Sequence, residues 1–247
     1  MSRNSNRVAK SQKRQQMTLQ ENTIRFDQAK PQKQRPIDIV PRTRNQESLV
    51  LALQDADQHI VITAGPAGTG KTYLAMLAAV KAFREGEVDR IVLTRPAVGV
   101  EDEKHGFLPG DLNAKMDPWV RPLTDILREY YRQPDIMSMI ADQTIEIAPL
   151  AFMRGRTFKS AYIIADEMQN ATPAQCKMLM TRIGEGSKIV ITGDVEQADR
   201  NRGNNGLMDL CQRLEKGGVK GIAVCHLDSR DIQRHAIIDS VLNLYTN

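Results

Sequence analysis

Eight residues, Gly65-Pro66-Ala67-Gly68-Thr69-Gly70-Lys71-Thr72, follow the spacing G-x-x-x-x-G-K-T. Each residue type in that pattern has a physical use. The glycines let the backbone approach phosphate oxygens and turn successive N–H groups inward. A helix beginning behind them adds a partial positive charge, about half a unit, at its N-terminus. Lys71 has the length to reach β- and γ-phosphates, and the Thr72 hydroxyl is a ligand for Mg²⁺. The pattern predicts that residues 65–72, namely Gly65, Pro66, Ala67, Gly68, Thr69, Gly70, Lys71 and Thr72, cradle a nucleotide. The plainer alternative is a glycine-rich turn capping a helix.

A second pair of groups, Asp166 and Glu167, closes the apolar run Tyr162-Ile163-Ile164-Ala165. Asp166 is placed to hold Mg²⁺ through its water shell, because magnesium keeps several waters and takes few protein ligands. Glu167 is placed to polarise an attacking water. Read alone, the pair is a strand ending at a solvated acidic turn. Downstream of a phosphate loop it becomes the other half of one site. Gln197, in Gly193-Asp194-Val195-Glu196-Gln197, suits sensing of a γ-phosphate or orientation of water, against a reading as a polar loop residue. Arg95 ends a strand, where ligands of open α/β sheets bind, so it suits phosphate or a structural ion pair. Arg234, or Arg230 beside it, opens a terminal helix. It either reaches a γ-phosphate, in cis or across a subunit interface, or forms a surface ion pair. Gln46 stands where many helicase-like P-loop proteins read adenine with a glutamine; the alternative is a surface helix residue.

These groups need elements to position them. The run 60–64 reads as a buried parallel strand and 73–83 as the helix after the loop. Further strands are expected at 89–94, 144–148, 162–167, 187–192 and 221–227. Helices are expected at 45–53, 112–132, 135–141, 172–183, 207–216 and 231–245. Thr172 caps the helix at 172–183, Pro173 sits in its first turn and Gly184 ends it. Trp119 is read as a packing anchor. The long loop 99–111, with His105, reads as a functional loop rather than a metal site. In the turn 151–158, Arg154 and Arg156 flank Gly155 and suit phosphate contacts, with a buried ion pair as the alternative. Strands alternating with helices predict an α/β fold with a mostly parallel sheet.

The 247 residues divide by charge. Residues 1–44 carry 11 Lys/Arg and 3 Asp/Glu, a net of +8, while the remainder carries a net of −4. The first forty residues have too little apolar surface to offset chain entropy, so a largely disordered basic tail is expected over 1–43, followed by one domain over 44–247. Such a tail is either a nucleic-acid arm or a solubilising segment. No apolar run approaches the ~20 residues of a membrane span, and no secretory leader is evident. Three cysteines, Cys176, Cys211 and Cys225, match no zinc or redox spacing, which favours a reducing cytoplasm.

Taken together, the stretches at 65–75, 90–98, 106–112, 145–158, 163–172, 189–199 and 231–235 resemble the PhoH-like, phosphate-starvation-inducible ATPases, relatives of superfamily 1 helicases. The resemblance covers about residues 44–247. It implies a RecA-like P-loop core, ATP with Mg²⁺, ATP hydrolysis, an RNA substrate and a ring-shaped homo-oligomer such as a hexamer. It departs at Ser48, where the family usually carries its adenine-side glutamine, and at His105, where the family commonly has leucine. The chain leaves no room for the PIN nuclease fused to some relatives, so no nuclease activity is expected. The expected function is an RNA-directed, helicase-like ATPase. Its rivals are a nucleotide-dependent switch that binds a protein partner and, further off, a small-molecule kinase.

Overall fold

The computed structural model describes residues 36–96, 124–196 and 205–233. The chain divides into two units, Met1–Pro36 and Ile37–Asn247, and the sheet and its helices belong to the second. The strands are β1 (Ile60–Ala64), β2 (Arg90–Arg95), β3 (Ile145–Pro149), β4 (Ala161–Ala165), β5 (Lys188–Gly193) and β6 (Ile222–His226). The helices are α1 (Arg44–Gln54), α2 (Lys71–Arg84), α3 (Gln133–Ala141), α4 (Pro173–Met180) and α5 (Gly206–Lys216).

All strand pairs are parallel, and the sheet order is β3-β2-β4-β5-β1-β6. Val- and Ile-rich runs buried on both faces suit such a sheet. Every residue of β1 and β4 is buried. Alternate residues feed two cores. Val61, Leu93, Tyr162 and Ile164 join Leu49, Leu53, Leu74 and Val80 of α1 and α2 on one face. Ile62, Ile163 and Ile191 join Cys176, Leu179, Leu207 and Leu210 of α4 and α5 on the other. Because every strand runs the same way, all C-terminal ends reach one rim of the sheet.

The expected α/β fold with a parallel sheet is therefore observed, with six strands among the described residues. The strand at 60–64 has the expected bounds, and α2 begins at Lys71. Of the helix expected at 112–132, residues 124–128 are helical; 112–123, including Trp119, lie outside the described residues. So do the loop 99–111 with His105, the tail 1–35, and residues 234–245 of the helix expected at 231–245. The described start of that last segment, Ser229–Asp231, is a 3₁₀ turn. No helix among the described residues is long and apolar enough to cross a membrane.

One helix is shorter than its sequence suggests. Thr172 caps α4 in a capping box with Gln175, and Pro173 opens it, as expected. The helix nevertheless stops at Met180 rather than Ile183. The Arg182 carbonyl accepts the Phe158 N–H at 2.9 Å, and Ile183 bridges Phe158 in extended form. Gly184 then passes so close to that segment that a Cβ would lie 2.3 Å from the Phe158 oxygen. A non-local pairing ends the helix before its own glycine does.

Ser187 locks this corner. Its hydroxyl donates to the Phe158 carbonyl at 2.8 Å and accepts the Ala161 N–H at 3.0 Å, both out of water. Ser187→Ala leaves two buried backbone groups without a partner, and each unsatisfied group costs about 1–3 kcal/mol. Urea unfolding should show a loss of at least that size; an unchanged midpoint would remove Ser187 from the account of the corner.

Candidate nucleotide site

Residues 65–72 connect β1 to α2 at the C-terminal rim. The Gly65 N–H donates to the Gly193 carbonyl of β5, and the Leu227 N–H donates to Ala64. A Cβ on Gly65 would sit 2.4 Å from the Leu227 oxygen, so only glycine fits between these neighbours. Gly70 caps α2 in the left-handed region with φ 84°, which glycine adopts at no steric cost. The Lys71 ammonium donates to the carbonyls of Gly65 and Pro66 at 2.6 and 2.7 Å, and the Thr69 hydroxyl donates to Pro66 at 2.9 Å. The loop carbonyls are thus engaged from within.

Gln46 braces the same loop from α1. It is 3% exposed. Its amide nitrogen donates to the Thr69 carbonyl at 3.0 Å, and its amide oxygen accepts the Arg42 N–H at 2.8 Å. The structure places Gln46 against the loop, with its amide bonded to backbone. On the other side, the Gln233 N–H donates to the Gly68 carbonyl at 2.9 Å.

Asp166 and Glu167 follow β4 directly at the same rim. The Asp166 N–H donates to Thr94 of β2 at 3.0 Å. Its carboxylate accepts the Thr72 hydroxyl at 2.8 Å and also the Thr192 hydroxyl of β5. The Thr72 and Asp166 oxygens form a hard-donor pair of the kind magnesium takes from proteins, with few ligands and room for water. The donor chemistry of Thr72 and Asp166 therefore fits the metal.

Glu167 is held differently. Its backbone lies in the left-handed region with φ 55° and ψ 38°, a conformation that costs a non-glycine residue on the order of 1–3 kcal/mol. One carboxylate oxygen lies 3.5 Å from the Arg95 guanidinium, and the other accepts the Gln169 amide at 2.5 Å. Gln169 is 3% exposed, and its own amide oxygen accepts the Asp194 N–H at 3.1 Å. Gly193 leaves no space for a Cβ, which would meet the Gln169 oxygen at 2.6 Å. Gln169 is a positioning residue that sequence reasoning passed over. A buried glutamine two residues beyond an acidic pair carries no periodic signal, and its partner Asp194 is remote in sequence.

The loop, Thr72, Tyr73, Asp166, Glu167, Gly193 and Asp194 enclose a cleft of about 270 Å³. Tyr73, which sequence reasoning also passed over, stands at its mouth, 41% exposed. A larger crevice of about 810 Å³, lined by His59, Tyr162 and Lys188 among others, carries none of the motif residues. The strand starts at its lining place it at the opposite end of the sheet.

The other predicted groups separate. Arg95 stands beside Glu167, which accords with its ion-pair reading. Arg156 departs from the phosphate expectation. It pairs through both nitrogens with Glu146, and its guanidinium lies 4.5 Å from the Phe158 ring centre, so it ties the turn to β3. Arg230 is exposed and paired with Asp228, whose carboxyl it holds down at about 2. Gln197 and Arg234 lie outside the described residues. The cysteines are free thiols; burial pushes Cys176 up to about 12 and Cys211 up to about 11.

A family model described as PhoH-like protein matches residues 38–246. The PhoH-like proteins of Bacillus subtilis (strain 168) and Synechocystis sp. are 46% and 45% identical over 204 residues, covering 83% of this chain and 63% and 61% of theirs. Protein PhoH of Escherichia coli (strain K12) is 37% identical over 212 residues, covering 82% of this chain and 57% of its own. The chain spans about three fifths of the length of these relatives. Among solved structures, the DUF1998 helicase MrfA bound to DNA matches with a TM-score of 0.45 at 13% identity, over 74% of this chain and 27% of that one. The Pyrococcus furiosus Hef helicase domain matches with 0.44 at 13%, over 78% and 39%.

The Gln169 bridge predicts a pH signature. Gln169→Glu keeps an acceptor for the Asp194 amide but sets a second carboxylate against Glu167. Like charges at that distance raise the pKa of one carboxyl in the folded state. A raised pKa stabilises below the unfolded value of about 4.3 and is lost as pH rises through the folded value. Urea melts should therefore show Gln169→Glu falling away from wild type between about pH 4 and pH 7. A pH-independent difference would mean the two groups do not meet.

Proposed function

The chain belongs to the PhoH-like protein family, and from that premise we propose that it is a Mg²⁺-dependent ATPase directed by single-stranded RNA and working as a homo-oligomer. One observation carries the ATPase part: the Thr72 hydroxyl meets the Asp166 carboxylate at 2.8 Å, beside a glycine-rich loop and a buried lysine. That is the donor set a magnesium nucleotide needs.

In this reading the loop amides and Lys71 bind the β- and γ-phosphates. The Lys71 ammonium exchanges the Gly65 and Pro66 carbonyls for phosphate oxygens. Thr72 and Asp166 hold Mg²⁺, which when bound neutralises charge on the phosphates. Glu167 accepts the proton of the attacking water, and Gln169 fixes its orientation. Arg95, beside Glu167, would contact the γ-phosphate. Gln46 braces the loop, which leaves Tyr73 as the group at the cleft mouth to meet the base. Gln197 and Arg234 keep the roles of water orientation and transition-state arginine.

The RNA and oligomer parts rest on family resemblance and charge. A single sheet of this type moves along a strand only in concert with a second one, so motor action requires assembly of copies. The basic segment 1–43, ahead of a domain over 44–247 in the sequence, supplies charge for a polyanion. Three cysteines at spacings that match no zinc or redox pattern support a cytoplasmic location.

The test is ATP turnover with and without single-stranded RNA, with particle mass measured by light scattering in the same buffer. Lys71→Ala should abolish turnover. Glu167→Gln should lower kcat about 10²–10⁴-fold while ATP still binds. RNA-stimulated turnover from an oligomer is the expected result. Turnover indifferent to RNA would instead point to the nucleotide-dependent switch.

A further inference from the structure

The turn after β3 is anchored from inside and open outside. Leu150 and Met153, in the 3₁₀ turn Leu150–Met153, are buried. Arg156 is bound to Glu146, and Phe158 is fully buried. Between these anchors Phe152 stands 55% exposed, although exposing a phenyl ring to water is unfavourable. Arg154 is exposed beside it, and Lys159 further along. Gly155, with φ 79° and open space where a Cβ would stand, makes the bend that separates the outward Arg154 from the inward Arg156.

We propose that this turn is a contact for a single strand of RNA, with Phe152 as a stacking platform for a base and Arg154 as a phosphate contact. The inference rests on the RNA-directed reading above and adds the surface that reading lacks. Strand-binding proteins combine an aromatic face, on which any base stacks, with cations that follow the backbone. The turn supplies one of each on a fixed frame. A protein partner would call for a wider apolar patch, yet Phe152 is flanked outward by Ala151 and by charge. Among the described residues, the other exposed large apolar side chains, Val40, Leu51, Tyr73, Met137 and Val219, lie outside this turn.

Position also favours a strand. β3 ends at the same rim as the cleft, and Pro149 registers with Arg95 of β2. Arg95 is the side chain beside Glu167. A base on Phe152 therefore sits one strand away from the group that pairs with the catalytic carboxylate. This gives RNA at the sheet edge a short route to the nucleotide.

The experiment is fluorescence anisotropy of a labelled oligouridylate with full-length wild type, Phe152→Ala, Phe152→Tyr and Arg154→Gln, with mass determined in parallel. Loss of one stacked base should weaken binding about 5- to 150-fold in Phe152→Ala, while Phe152→Tyr retains wild-type affinity. Arg154→Gln should flatten the slope of log affinity against log salt by roughly 0.7. Equal affinity of wild type and Phe152→Ala overturns this inference and leaves the RNA reading intact. A wild type that binds no oligonucleotide overturns both. A Phe152→Ala variant that changes mass but not affinity makes the occupant a second copy of the chain and overturns the inference.

Discussion

The carboxylate of Asp166 is the knot of this structure. It accepts hydroxyls from Thr72 and Thr192, while the backbone N–H of the same residue donates to the Thr94 carbonyl. Four elements, β2, β4, β5 and the loop at the start of α2, therefore meet at one residue. Only a sheet whose strands all point the same way brings their ends to one rim, so the topology is a precondition for the contact. The hydroxyls in turn fix the carboxylate in one orientation before any ligand arrives.

The same economy governs the loop. Its carbonyls are occupied by Lys71, the Thr69 hydroxyl and Gln46. Glycines at 65 and 70 admit close neighbours and a left-handed step that other residues resist. Electrostatic stabilisation by fixed dipoles is strongest when they need no reorganisation at the moment of reaction. The brace from Gln46 is a contribution to that fixity, made from outside the loop by a helix that precedes it.

How far the sequence revealed this depended on how local the cause was. The bounds of β1 and the start of α2 follow from an apolar run, three glycines and a lysine next to one another. Thr172 and Pro173 announced α4 because a cap acts within one turn. The end of α4 stayed hidden because Phe158, distant in the chain, claims the Arg182 carbonyl. Arg156 suited a phosphate contact before an ion pair until folding placed Glu146 and the Phe158 ring around it. Gln169 lay within a family-like stretch but gave no signal of its role, which is to span Glu167 and Asp194. Lys71, Thr72, Asp166 and Glu167 were legible because their chemistry is tied to short motifs. The residues that hold them in place were not.

The strand order has a consequence for how the chain is made. β1 and β2 are consecutive in sequence, but β4 and β5 lie between them in the sheet. The neighbours of β1 are β5 and β6, both from the C-terminal part of the chain. A ribosome thus releases two apolar strands long before either has its full complement of partners. Pairings of such sequence separation form slowly and leave strand edges exposed meanwhile. Newly made chains of this fold should lean on holding chaperones during synthesis. A message truncated before codon 222 would yield a phosphate loop with one flank missing.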